Sequence, residues 1–159
     1  MSIKKITEIL RMCELFSDLS DNELESIAKM SRIEKFGPGK KIYEQGDVGT
    51  KLYILSEGRV TLERRVDLGG VRVANITVFA LKEQTNRRLM GGWCALVGKQ
   101  HIQMCSAVCE IPTKVISMRC SDLRETMIKD STIRIKILEK LILMLRDRLY
   151  SSYGAIETL

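Results

Sequence analysis

The chain has 159 residues, a formal charge of +6, 45% hydrophobic and 29% charged residues. That length is one domain with room for a core and too little for two of ordinary size, and the composition excludes a disordered or membrane-embedded class. Lysines and arginines are interleaved with acids along the chain, so the positive charge reads as a solvated surface and not as a nucleic-acid stripe.

At the amino terminus, Lys4, Lys5, Glu8, Arg11 and Glu14 interrupt any apolar run of signal-peptide length, so the expected location is cytoplasmic, with no membrane segment. Ile3, Ile6, Leu10 and Cys13 recur at helical spacing and predict an amphipathic helix over residues 3–16. Ser20 followed by Glu23 is a capping box, which predicts a second helix from Leu24 to about Met30.

From Ile33 the period changes. Gly37-Pro38-Gly39, Gly46-Asp47, Ser56 to Gly58 and Leu68-Gly69-Gly70 mark turns between short strand-like runs, and the second of the longer runs alternates Val60 and Leu62 with Arg59, Thr61 and Glu63. A hairpin is expected at Ser56 to Gly58, and an all-β sandwich or barrel overall. Gly37, Gly46 and Gly58 suit tight corners, and Asp47 can lock its corner through a bond to downstream backbone. A polar connection, LKEQTNRRLMGG, leads to two further strands, MCSAVCEI and TKVISM, with Pro112 at a strand end.

The last third is helical: a short helix capped by Ser121, then a long one capped by Asp130 or Ser131. In the long helix Ile135, Leu138, Ile142, Leu145 and Leu149 alternate spacings of three and four, and Ile137, Leu141 and Met144 form a second stripe beside them. Two adjoining stripes predict burial on two sides, one against the same chain and one against a second copy.

The segments LFSDLSDNELESIA, FGPGKKIYEQGD and LYILSEGRVTL, in this order and spacing, resemble the cyclic-nucleotide-binding domain family, which includes the sensor domains of catabolite-activator-like regulators; the likeness spans about residues 15–149. It implies a mainly β fold, a double-stranded β-helix (jelly roll) with two amino-terminal helices and a long carboxy-terminal helix. The implied layout is helices over 1–32, β-roll over 33–118, helices over 120–150 and a tail over 151–159.

In that family a phosphate-binding cassette, Gly-Glu-x-Ala-Leu followed about six residues later by Arg-Ser/Thr-Ala, holds the ligand; here the corresponding residues are Gly91, Gly92, Trp93, Cys94, Ala95, Leu96, Gln103, Met104 and Cys105. Gly92, Ala95 and Leu96 fit the pattern. Trp93 takes the slot of the ribose-binding glutamate, and the arginine slot falls within Ile102 to Cys105, where no residue is basic. Losing that arginine costs about 2 to 5 kcal/mol of phosphate binding, so cyclic AMP and cyclic GMP are not the expected ligands, although Lys99, His101 and the glycine amides remain available to an anion.

Function is therefore expected to be that of a regulatory ligand-sensing domain, binding an unidentified small-molecule effector, acidic or aromatic, and signalling through a homodimer formed by the 135/138/142/145/149 stripe. The alternatives are a ligand-free dimerisation or protein-interaction module, in which Trp93 fills the pocket, and a haem or redox sensor with His101 as a ligand. Against the last, Cys105 and Cys109 on one strand face stand about 13 Å apart, beyond the span of one metal ion; five cysteines with no Cys-x-x-Cys also point to buried thiols. No nucleophile elbow, Walker loop or paired-carboxylate cleft is present, so an enzyme is not expected. The chain ends too soon after the long helix for a helix-turn-helix, so no direct DNA binding by it is expected.

Overall fold

The computed structural model describes residues 2–67 and 73–157. Two helices, α1 (Ile3–Arg11) and α2 (Asp21–Lys29), precede eight strands: β1 (Arg32–Phe36), β2 (Lys41–Tyr43), β3 (Lys51–Glu57), β4 (Arg59–Asp67), β5 (Val73–Lys82), β6 (Leu89–Gly91), β7 (Ser106–Cys109) and β8 (Thr113–Arg119). Helices α3 (Cys120–Lys129) and α4 (Ser131–Glu157) follow. The strands form two four-stranded sheets, ordered β1-β8-β3-β6 and β2-β7-β4-β5, with antiparallel pairing throughout. Successive strands alternate between the two sheets except β4 and β5, which are chain neighbours paired in one sheet.

This alternation overturns the hairpin expected at Ser56 to Gly58. β3 pairs with β8 and β6, and β4 with β5 and β7, so Gly58 is a corner where the chain passes from one sheet to the other. A turn motif fixes a change of direction, but which strand becomes the neighbour depends on partners far along the chain. Gly46 and Gly58 take positive φ as corners should, whereas at the first corner it is Gly39 and not Gly37. The Asp47 carboxylate accepts from the Glu44 amide at 3.0 Å, upstream of itself and not downstream. The Leu68-Gly69-Gly70 turn lies outside the described residues.

Two cores result from the period-two pattern of β3. Leu52 and Ile54 face the helices with Ile116, Met118 and Leu89, while Tyr53 and Leu55 point into the roll with Val60, Leu81, Met90, Ala107 and Val115. The helix side is sealed by Ile6, Leu10, Cys13, Leu24 and Ile27, and by Ile133, Ile137, Leu141 and Met144 of α4. The expected first helix is shorter than its apolar pattern, ending at Arg11, and Ile3 of its predicted face is exposed. The capping box forms: the Glu23 amide donates to Ser20 Oγ, and the Ser20 amide donates to the Glu23 carboxylate at 2.7 Å, and α2 starts at Asp21, before Leu24.

Capping of the later helices splits. Asp130 caps α4, accepting from the Thr132 and Ile133 amides at 2.9 and 3.2 Å. Ser121 does not cap α3; it lies inside the first turn, and the cap position is Arg119, which supplies no side-chain acceptor. α4 runs on to Glu157, through most of the expected tail. Among the described residues no helix is long and apolar enough to cross a membrane.

Candidate functional site

β6 delivers the chain to Gly91 and Gly92, a 3-10 helix spans Trp93–Val97, and Gly98 ends it in the left-handed conformation. The return segment is zipped to the loop before β3: the Gly49 amide donates to the His101 carbonyl, the Gln103 amide to Asp47, and the Gly46 amide to Gln103, each at 2.8 Å. This pairing brings two glycines into contact. A Cβ on Gly92 would lie 2.3 Å from the Gly49 carbonyl oxygen, so only glycine fits there.

The cassette candidates separate on folding. Gly91, Gly92, Leu96 and Gln103 are buried; Trp93, Cys94, Ala95 and Cys105 are half-buried; Met104 is 61% exposed. Of residues 102–105 it is therefore Gln103, 4% exposed, whose side chain sits inside against Gly49. The Trp93 ring does not stand free: it packs on His101 with centroids 5.1 Å apart and on the helix-side core. Burial holds the His101 imidazole below its usual range, and the neighbouring Gln103 side chain pulls the other way as a polar partner. At neutral pH the interior of the cassette thus presents a neutral amide and a neutral imidazole, without a buried cation for a phosphate.

The thiols are masked. Cys120 Sγ donates to the Gly92 carbonyl at 3.3 Å, and burial pushes its thiol up to about 12; burial also raises Cys94, Cys105 and Cys109. Such thiols stay protonated and are poor ligands or nucleophiles. Among the described residues no group of three or more His, Cys, Asp and Glu is placed to hold a metal ion, and His101 is already engaged by Trp93 and Gln103.

Several residues that shape the rim of the roll have no counterpart in the sequence reading. The Arg148 guanidinium of α4 donates to the Leu89 carbonyl at 2.7 Å, pairs with Glu14 at 3.3 Å and lies 5.4 Å from the Phe79 ring centroid. Arg87 lies 5.9 Å from the same ring. Tyr43 and Tyr53 stack inside the roll at 5.9 Å, and burial raises both phenols. A signal for Arg148 was present: position 148 extends the buried 137/141/144 stripe by four, and a charge on that face must find partners.

The 135/138/142/145/149 stripe lies where a partner could reach it. Ile135, Ile142 and Leu149 are 57%, 67% and 52% exposed, while Leu138 and Leu145 are half-buried against the core.

No protein-family model matches the sequence, and no curated protein matches it significantly. Solved structures do. A cyclic nucleotide-binding domain from Methylobacillus flagellatus superposes with a TM-score of 0.78 at 19% identity, over 98% of this chain and 83% of that one. The N-terminal domain of a transcriptional regulator from Streptomyces coelicolor gives 0.70 at 19%, over 91% and 94%. A three-substitution mutant of the regulatory subunit of a cAMP-independent protein kinase A from Trypanosoma brucei, bound to cAMP, gives 0.73 at 18%, over 96% and 50%. From helix α1 through the two-sheet roll to helix α4, the chain has the fold of the cyclic-nucleotide-binding domains.

Proposed function

We propose that the chain is a regulatory domain that uses this fold without binding cyclic AMP or cyclic GMP, and that reports through pairing of α4 with a second copy. One observation carries the ligand half of this reading: Trp93 stands in the acid's slot, Gln103 is the buried residue of the arginine window Ile102 to Cys105, and both are engaged with His101. A cyclic phosphate entering there meets no charge of opposite sign and must break the imidazole–amide bond. The effector is then a small molecule of other chemistry that binds against the cassette and favours one arrangement of α4 over another. Isothermal titration with cyclic AMP and cyclic GMP tests it: no saturable heat is expected up to about 1 mM, and saturable micromolar binding overturns the reading.

A second reading, a ligand-free interaction module, is favoured by Arg148. Its hydrogen bond to Leu89, ion pair with Glu14 and contact with the Phe79 ring fasten α4 to the roll through groups of the chain itself. A thermal-shift screen with small aromatic and acidic molecules separates the two, since a specific effector raises the midpoint in proportion to its occupancy and a ligand-free module shows no saturable rise.

A further inference from the structure

We infer that the outer face of the cassette carries an anion-binding groove that takes a phosphorylated small molecule, at a site separate from the roll interior. The groove encloses about 490 Å³ and lies between the loop before β3, the end of the cassette helix and the start of α3. That volume suits a molecule up to nucleotide size. Its lining includes Lys51, Lys99, Arg119 and Arg124 and no carboxylate.

Two of the four cations are internally compensated. Lys51 pairs with Glu34 at 3.0 Å, and Arg119 with Asp122 at 2.9 Å on the rim. Lys99 and Arg124 form no ion pair among the described residues, so the groove holds an uncompensated double positive charge. Arg124 is also pre-placed. Its guanidinium lies against the backbone of Gly98, where an added Cβ would come within 2.7 Å of Nη2 and 2.8 Å of Cζ, and Gly98 has φ +73°. A planar, always-charged group held on a glycine loses little freedom on meeting phosphate, which makes it a stronger partner than a free surface lysine.

The groove touches the cassette through Ala95, His101 and Cys120, and His101 links it to the tryptophan. His101 lines the groove and packs on Trp93, the single tryptophan of the chain. Occupancy is therefore readable by tryptophan emission as well as by NMR.

The experiment titrates the full chain with inorganic pyrophosphate at moderate salt, following Trp93 emission and the backbone amides of Gly98, Lys99 and Ser121. Saturable changes at both probes are expected. Lys99→Ala with Arg124→Ala should weaken binding at least about tenfold, whereas Lys4→Ala with Lys35→Ala, which removes the same charge from distant exposed positions, should change it about twofold or less. Linear, non-saturating shifts up to about 10 mM overturn the proposal, and so does equal weakening in the two double variants. Titrating cyclic nucleotides against the parent and against Lys99→Ala with Arg124→Ala separates the two sites: heat that survives the double substitution belongs to the roll interior and heat that it abolishes belongs to the groove.

Discussion

At the scale of single residues, the chain stabilises groups that the sequence pattern would leave outside. Arg88, in the polar connection before β6, is 5% exposed, and its guanidinium donates to the carbonyls of Leu55, Ser56, Glu83 and Thr85. Arg88→Met keeps the length and removes every donor, leaving buried carbonyls unpaired; urea denaturation should show a loss of about 3 kcal/mol or more. His101 offers a pH test. Burial lowers its folded pKa, so its contribution to stability is present above the unfolded value of 6.5 and is lost as pH falls through the lower folded value. Trp93 emission should drop with a midpoint below 6.5 as the adjacent imidazolium forms, and His101→Gln should abolish the step; a midpoint above 6.5 would contradict the buried stack.

At the scale of elements, α4 carries two faces with opposite tasks. One is fastened inward by Ile133, Ile137, Leu141 and Met144 and by a ladder of ion pairs, Lys136 to Glu23 at 2.8 Å, Lys140 to Asp18 at 3.1 Å and Arg148 to Glu14. The other repeats apolar residues as a strict heptad from Ile135 to Leu149, and a coiled coil buries such a seam. In a parallel pair Arg134 and Glu139 fall at the flanking positions that face each other across the seam, and neither has an ion pair within the chain among the described residues. Ile142→Glu should therefore leave the monomer fold within about 0.5 kcal/mol of the parent, because the side chain is exposed. Sedimentation should at the same time show loss of the dimer, by about 2 to 4 kcal/mol of association free energy. Glu139→Lys should weaken the dimer and Arg134→Glu in the same chain should restore it. A parent that sediments only at 18.1 kDa removes the dimer from the proposal.

For the whole molecule, the cassette can be asked to regain the missing charges. Trp93→Glu with Gln103→Arg places a carboxylate in the acid's slot and a guanidinium at the buried position of the arginine window. Without ligand the buried arginine should lower the melting temperature; cyclic AMP should then raise it, and the parent should show no such rise. Failure of cyclic AMP to stabilise the double variant would locate the block elsewhere, at the rim held by Arg148 and Phe79.

Much of the fold was legible because it is written in short-range chemistry. Capping at Ser20 and Asp130, the switch of period near Ile33, the glycine at Gly46 and the two stripes of α4 each depend on residues within a few positions of one another. The pairing of β3 with β8 rather than β4 was not legible, since a corner residue such as Gly58 constrains direction and leaves the partner to long-range packing. In the candidate site the resemblance implies an acid and an arginine that this sequence does not supply in their slots, and it bounded the arginine slot to four positions. That Gln103 is the buried one, that Trp93 lies on His101, and that Lys99 and Arg124 line one groove were decided only by the tertiary structure. The reason is physical: composition and spacing determine what a segment can bury, but which side chain ends beside which depends on the approach of loops more than forty residues apart, as Gly49 and Gly92 are here.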